Sequence, residues 1–169
     1  TTTSRKLQVK MVQRRTHHIL KAAAAFALVG GAAASCTTDG TIAAAQKISN
    51  SYGGLAATGF TLDTSDVLSH TGLISMGDVD GDGTIEVAAG AHGDDDGGSS
   101  CGAVYIFSLG PTGAVTKTSK ISNSFGGLTA FFSFPAGGYV GLGLAFLGDQ
   151  NLDGIAADIA VGGHVIDST

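Results

Sequence analysis

The chain has 169 residues, of which 27 are glycine and only 14% are charged, and its formal net charge at pH 7 is −5. A negative chain without a clustered basic patch is not expected to bind nucleic acid. Two cysteines, Cys36 and Cys101, are too few for a disulfide framework. Abundant glycine between short apolar runs favours strands joined by tight turns over helices, within one domain of ordinary size.

Residues 1–35 have the layout of a leader that contains a secretory signal. Met11 is followed by Arg14 and Arg15, and an apolar stretch then leads to the small residues 31–34. A basic segment, an apolar segment and an A-x-A-like cleavage site are the parts of an export signal, which we place at residues 11–35. The apolar run is shorter than the roughly 20 residues of a comfortable transmembrane helix. The sequence therefore predicts a secreted or surface-displayed protein.

Two alternatives for this leader stay open. The apolar run is also compatible with a short membrane anchor or a buried helix. Residues 33–36 loosely resemble a bacterial lipobox, which would place a lipid anchor on Cys36. Because Ala33 stands where that motif has a larger aliphatic residue, an ordinary export signal remains the prediction.

Beyond the leader, apolar and polar residues alternate as they do in strands with one buried face. Segment 103–109 is rich in β-branched and aromatic residues, and the turn-forming segment 110–113 follows it. The predicted strands are 73–76, 85–91, 103–109 and 114–121. Four strands joined by hairpins are typical of a β-propeller blade, so we expect an all-β fold with blades of four antiparallel strands.

The loop between the first two of these strands has the composition of a cation site. Carboxylates stand at its first, third, fifth and ninth positions, which are Asp78, Asp80, Asp82 and Glu86. Ca2+ takes roughly six to eight oxygen ligands, and alternate carboxylates in a tight loop can supply several of them. We therefore predict a calcium site formed by these four side chains and the carbonyl of Thr84.

This loop has two other interpretations. Asp and Gly also form plain solvated turns, and such a turn is the alternative to a metal site. An EF-hand is excluded, because its loop requires an acid at the twelfth position, where this chain has Ala89. The flanking segments alternate as strands, which places the loop in a hairpin and not between helices.

An internal repeat extends over most of the chain beyond the leader. Residues 47–55 return 73 residues later as 120–128, and Tyr52 replaced by Phe125 is the one change between them. Self-similarity at a fixed interval indicates an architecture of repeated structural units.

The metal loop returns as well. Its second copy has oxygen-bearing side chains at the same first, third and fifth positions, which are Asp149, Asn151 and Asp153. The closing acid, Asp158, falls one position later than in the first copy, so it reaches the site only if the loop bulges. We predict a second, weaker calcium site at these four residues.

The run 77–107, GDVDGDGTIEVAAGAHGDDDGGSSCGAVYIF, resembles an FG-GAP repeat, the blade unit of the integrin α-subunit β-propeller and of many secreted microbial proteins. The shared features are a strand ending in Gly-Asp, a D-x-D-x-D-G loop, an acid followed by Gly-Ala, and the strand GAVYIF. The likeness covers residues 41–163. It implies propeller repeats in residues 36–169, with one blade unit at about 50–122 and a partial unit at about 123–169.

The resemblance also implies calcium at both loops, with the same ligands as those named above. Closed propellers have about four to eight blades, whereas about two are recognisable here. We therefore expect an incomplete propeller that requires further blades, supplied by additional sequence or by other copies, to cover its open edges.

The function implied by this resemblance is non-enzymatic. We expect a calcium-binding segment of a secreted or cell-surface protein that mediates adhesion or recognises an extracellular protein or glycan. The sequence contains no Ser-His-Asp elbow, P-loop or dinucleotide fingerprint. The alternatives are a non-catalytic part of a larger secreted hydrolase and a carbohydrate-binding lectin.

Three further features lead to separate expectations. Residues 94–96 are predicted to form a solvated hairpin loop, with an extra cation site as the alternative. Cys101 is predicted to be a free, half-buried thiol, with a bridge to Cys36 as the alternative. The aromatic cluster 131–134 is predicted to pack between blades and not to line a ligand surface.

Overall fold

The computed structural model describes residues 26–28, 41–42 and 44–164. Its strands are β1 (Phe26–Leu28), β2 (Gln46–Ile48), β3 (Leu68–Gly77), β4 (Ile85–Ala91), β5 (Ala103–Leu109), β6 (Val115–Ile121), β7 (Gly143–Gly148) and β8 (Asp158–Gly162). Two short 3-10 helices, Leu55–Thr58 and Leu128–Ala130, are the helical elements of the described residues. The all-β prediction is confirmed.

The leader and its predicted signal lie outside the described residues, except for β1. The backbone of β1 pairs antiparallel with β2, with Phe26 opposite Ile48 and Leu28 opposite Gln46. The lipid-anchor alternative at Cys36 also lies outside the described residues. Within the part of the chain that the structure describes, no helix has the length and hydrophobicity required to cross a membrane.

Strands β3 to β6 form one antiparallel sheet in sequence order. Each predicted strand of this segment is present, because the alternating side chains suit a sheet with two packed faces. The turn between β5 and β6 is tight: the Gly113 N–H donates to the Gly110 carbonyl at 2.8 Å, and the Gly110 N–H donates to the Ala114 carbonyl at 2.9 Å. The chain thus returns directly from one strand to the next, as short hairpins require.

The two faces of this sheet are covered by different parts of the chain. Its first face carries Val87, Ala89, Tyr105 and Phe107, which pack against the preceding segment that contains Ile48, Leu55, Phe60 and Leu62. Its second face carries Met76, Ala88, Val104 and Ile106, which pack against Leu144, Ala157 and Ile159 of the following hairpin. The four-stranded sheet is therefore the middle layer of three.

Strands β7 and β8 form a two-stranded antiparallel sheet with the register of β3 and β4. In the first hairpin Gly77 lies opposite Glu86, and in the second Gly148 lies opposite Asp158. The equivalent register shift, next to the glycine that ends each first strand, occurs in both. The sequence repeat is thus also a repeat of backbone geometry.

The repeated segments outside the strands form equivalent contacts too. The side chain of Asn50 clamps the backbone of Leu62, donating to its carbonyl at 2.6 Å and accepting its N–H at 2.7 Å. The side chain of Asn123 clamps the backbone of Phe134 in the same way, at 2.9 and 2.7 Å. Each side-chain amide satisfies both backbone hydrogen-bonding groups of one residue. It thereby holds the chain about 12 residues further on against the start of the repeat.

The second hairpin approaches the first sheet closely at glycine. A Cβ added at Gly90 would lie 1.9 Å from the carbonyl oxygen of Gly141, on the segment that leads into β7. The Val140 N–H donates to the Cys101 carbonyl at 3.0 Å, which holds that segment against the first sheet. Gly90 is therefore required by the packing of one sheet on the other.

We expect Gly90→Ala to lower the free energy of unfolding by about 1–3 kcal/mol, because the added methyl meets backbone that cannot move aside cheaply. Urea denaturation followed by circular dichroism measures the change. Gly143→Ala is the matched control, since a Cβ there has no neighbour within 4 Å, and its effect should stay within about 0.5 kcal/mol. Equal effects of the two substitutions would contradict the close approach.

Candidate metal centre

The first acidic loop connects the end of β3 to the start of β4. The Gly83 N–H donates to Asp78 Oδ2 at 3.0 Å, and the Asp82 N–H donates to Asp80 Oδ1 at 3.2 Å. Gly83 has a φ of 84°, in the left-handed region that a glycine adopts without steric cost. The acids therefore shape the loop by accepting its own N–H groups, as Asp does in tight turns.

Three of the predicted ligands converge. Carboxylate oxygens of Asp78, Asp80 and Glu86 all lie within 4.8 Å of one another. Glu86 is buried, and its Oε2 accepts the Val79 N–H at 3.0 Å, which ties the start of β4 to the start of the loop. One buried and two exposed carboxylates thus face a common point.

Asp82, a fourth predicted ligand, is engaged by other groups. Asp82 forms an ion pair with Lys117 of β6, and its Oδ1 accepts both the N–H and the hydroxyl of Thr84. The ammonium of Lys117 also lies 3.3 Å from Asp80 Oδ2. The hydrogen bond from Lys117 holds the pKa of Asp82 well below its usual range, and the bond to Asp82 raises the pKa of Lys117.

The second acidic loop repeats this hydrogen-bond pattern. Asp149 Oδ2 accepts the Gly154 N–H at 3.0 Å, as Asp78 accepts that of Gly83. Asn151 Oδ1 accepts the Asp153 N–H at 3.0 Å, and Asp153 Oδ1 accepts the N–H two residues further on at 2.8 Å. The two loops have the same fold despite their different lengths.

The extra residue of the second loop is accommodated just before β8. The Ala157 N–H donates to the Ile155 carbonyl at 2.8 Å. This tight turn accommodates the additional residue as a bulge. Asp158 Oδ2 then accepts the Gln150 N–H at 2.8 Å, the equivalent of the bond between Glu86 and the first loop. The bulge that the sequence required is present, and Asp158 takes the place of the closing acid.

Two features make the second loop the poorer candidate for a cation. Asn151 replaces a carboxylate, and its amide Nδ2 donates to Asp153 Oδ2 at 3.0 Å. Leu152 has a φ of 58° where Gly81 of the first loop has 73°. A non-glycine residue in this region costs about 1–2 kcal/mol. Less negative charge and backbone strain both weaken this site relative to the first.

The donor set of the first loop suits a hard divalent cation. All of its side-chain donors are carboxylate oxygens, which Ca2+ prefers over nitrogen or sulfur ligands. Asp78, Asp80 and Glu86 would hold the ion, and its charge would offset the repulsion between them. The ammonium of Lys117 supplies part of this compensation, so an ion and the ammonium would compete for Asp80.

Asp95 and Asp96 are exposed in the connection between β4 and β5, as predicted. Their carboxylate oxygens lie within 4.8 Å of one another and of an oxygen of Asp63, so the extra cation site stays the alternative prediction.

Asp94 departs from the prediction, because it is buried. It is 2% exposed and forms an ion pair with Lys120 of β6 at 2.6 Å. The hydroxyl of Tyr105 donates to Asp94 at 3.1 Å, and Lys120 also pairs with Asp96. The sequence pattern shows only an acidic run, whereas in the folded chain the ammonium of Lys120 on β6 lies against it.

Lys120 is the centre of this buried network. Burial by itself lowers the pKa of a lysine, but hydrogen bonds to Asp94 and Asp96 outweigh it and keep Lys120 charged. Its ammonium also lies 5.0 Å from the ring centre of Tyr105 and 5.3 Å from that of Phe125. Sequence reasoning missed this lysine, although the repeat pairs Lys120 and Phe125 with Lys47 and Tyr52. The ammonium of Lys47 lies 5.4 Å from the ring centre of Tyr52, the equivalent arrangement.

The remaining predictions concern Cys101 and the aromatic cluster. Cys101 is a free thiol, as predicted, but it is fully buried, and burial raises its pKa. Its predicted alternative partner, Cys36, lies outside the described residues. Phe132 and Phe134 line a groove between the two sheets, whereas Phe131 is 86% exposed.

Asp66 makes the stability of this region depend on pH. Burial, reinforced by Asp94, raises the pKa of Asp66 from 3.8 to about 6. The protonated form is thus favoured in the folded chain. Its stabilising contribution is complete below pH 3.8 and is lost as the pH rises through about 6.

We expect the wild-type chain to lose stability relative to Asp66→Asn between pH 4 and pH 6, since the amide stays neutral and still accepts the Asp63 N–H. Urea midpoints measured at about half-unit pH intervals provide the comparison. The exposed Asp95→Asn serves as control and should follow the wild-type slope. A wild-type curve parallel to that of Asp66→Asn across this range would refute the assignment.

Comparisons of the chain with protein-family models, with curated proteins and with solved structures give no match. The assignment of function therefore depends on the geometry of the two loops and of the repeated sheets.

Proposed function

We propose that this chain is a calcium-binding, FG-GAP-type β-propeller segment with a non-catalytic recognition role at the cell surface or outside the cell. The observation that carries the proposal is the convergence of Asp78, Asp80 and Glu86 in a loop whose geometry recurs at Asp149–Asp158. The acidic loop follows the first strand of both sheets and repeats its hydrogen bonds, which supports the likeness in sequence.

The direction of sheet packing supports propeller blades. In the first sheet, the face that carries Val87 packs against the preceding segment. The equivalent residue of the second sheet, Ile159, packs against the second face of the first sheet. Each unit thus presents the same face to the unit before it, which is how successive blades stack around a propeller axis.

Calcium in this proposal has a structural role. The ion would neutralise carboxylates that Lys117 compensates only in part, and it would fix the hairpin loop relative to β4 through Glu86. A rigid loop loses less conformational entropy when it contacts a partner. We propose that extracellular proteins or glycans are those partners, consistent with the export signal expected in residues 11–35.

Calcium titration by calorimetry tests the metal site with two variants that should change the calcium affinity in opposite directions. Asp80→Asn removes one of the three converging carboxylates and should weaken binding by at least about tenfold. Lys117→Gln removes the competing ammonium and should tighten binding several-fold, because Asp80 then interacts with the ion alone. The second loop should appear as a separate, weaker phase.

Asp95→Asn is the charge-matched control for both variants, because it removes an exposed acid of a separate cluster, in which oxygens of Asp63, Asp95 and Asp96 lie within 4.8 Å of one another. It should leave the binding phase of the loop 78–86 unchanged. Absence of binding heat in the wild type, or equal weakening by Asp80→Asn and Asp95→Asn, would refute a specific site. A change in thermal midpoint with Ca2+ that Asp80→Asn abolishes would establish the structural role.

The recognition role is tested separately, with the purified full chain on arrays of glycans and extracellular proteins. We expect binding in Ca2+ that is lost in a chelator, because the loops lose their order with the ion. Asp80→Asn should reproduce the effect of the chelator, whereas Asp95→Asn should not. Selective binding to glycans alone would identify a lectin, and binding that ignores calcium would contradict the coupling of metal to recognition.

A further inference from the structure

The two equivalent hairpins differ in what lies along the edge of their second strand. β4 pairs with β3 on one edge and with β5 on the other, over seven residue pairs from Ile85 opposite Leu109 to Ala91 opposite Ala103. Among the described residues, β8 pairs with β7 alone. An open strand edge offers a row of backbone donors and acceptors to another strand.

In the first sheet, β5 brings two aromatic side chains to the core. Tyr105 and Phe107 are buried and pack against Leu55 and Leu62 of the preceding segment. Phe60 meets Tyr105 edge to face, with ring centres 6.2 Å apart. The aromatic residues of β5 thus fill the space between its own sheet and the unit before it.

The equivalents of these neighbours line an open groove in the second unit. Leu128 corresponds to Leu55 in the sequence repeat. Phe134 corresponds to Leu62, because the side chain of Asn123 bonds the backbone of Phe134 as that of Asn50 bonds Leu62. Leu128 and Phe134 line a groove of about 550 Å³ between the two sheets, together with Phe132 and Val161. Val104 and Ile121 of the first sheet form its opposite wall.

The groove and the open edge of β8 adjoin each other. Ile159 and Val161 belong to β8 and also line the groove, so a strand paired with β8 would direct alternate side chains into it. By the register of the first sheet, Val161 corresponds to Ala89, which lies opposite Tyr105, and Ile159 corresponds to Val87. Val87 lies opposite Phe107.

We propose that the edge of β8 and this groove bind an extended polypeptide strand of the β5 type, with aromatic residues at two alternate positions. Backbone hydrogen bonds to β8 supply affinity, and the two aromatic side chains, set opposite Val161 and Ile159, supply specificity. The proposal depends on the repeat and on the groove, and it does not depend on calcium. Its failure and the failure of the metal site are therefore distinguishable.

A peptide with the sequence of residues 102–110, GAVYIFSLG, is the probe, extended by two lysines for solubility and labelled with a fluorophore. Fluorescence anisotropy against the full 169-residue chain measures its binding. We expect saturable binding with and without Ca2+. A control peptide with serine in place of both aromatic residues should bind at least about tenfold more weakly.

Two variants of the chain locate the site. Phe132→Ser removes a groove side chain that is 58% exposed, so the fold should tolerate it, and Val161→Lys places a charge at the edge. Each should weaken peptide binding by at least about tenfold. The matched control Leu152→Ser, on an exposed loop residue outside the groove, should bind like the wild type.

Absence of saturable binding, or equal affinity for the two peptides, would overturn the proposal. Unchanged affinity in Phe132→Ser would overturn it as well, independently of whether Val161→Lys folds. Sedimentation of the chain alone tests a different occupant, a second copy. A dimer that Val161→Lys dissociates and that excess peptide leaves intact would assign this edge to self-association and refute the proposed strand partner.

Discussion

Each of the two hairpins is closed by one carboxylate at the start of its second strand. Glu86 accepts the Val79 N–H, and Asp158 accepts the Gln150 N–H. A buried carboxylate such as Glu86 is tolerated only where hydrogen bonds or charges satisfy it, so this contact selects one path for the loop. It places the closing acid opposite the glycine that ends the first strand, and this register decides which side chains of β4 and β8 face the core.

Stacking of the two sheets follows from that register. With Glu86 in place, Val87 and Ala88 point to opposite faces, and each face meets a different neighbouring unit. Gly90 then lies where only a residue without a side chain admits the backbone of Gly141. The groove beside β8 is lined by Leu128, Phe132 and their neighbours, which correspond to the residues that pack against β5 in the first unit. Among the described residues, no strand equivalent to β5 covers them. The proposed calcium site and the proposed strand site thus depend on the same repeated hairpin.

The acidic segments of this chain are stabilised in two different ways. In the loop 78–86, the acids are partly exposed, and their repulsion is open to compensation by an ion. At Asp94, the compensating charge is the buried ammonium of Lys120. Both segments are rich in Asp and Gly in the sequence, and composition does not separate them. They differ in the lysine of β6 that each contacts. Lys120 forms a buried ion pair with Asp94, whereas Lys117 contacts the exposed Asp80 of the loop 78–86.

The sequence by itself determined the strands from residue 73 to residue 121, the hairpin position of the acidic loop and the correspondence of its second copy, because these depend on alternation and on short-range hydrogen bonds. It also indicated Asp158 as the closing acid, although the bulge at Ala157 was needed to bring it there. Only the tertiary structure decided that Asp82 turns to Lys117, that Asp94 is buried beneath Lys120 and that an open groove borders β8. Each of these depends on contacts between residues far apart along the chain, such as the pair at positions 82 and 117, and local pattern carries no information about which distant side chains meet.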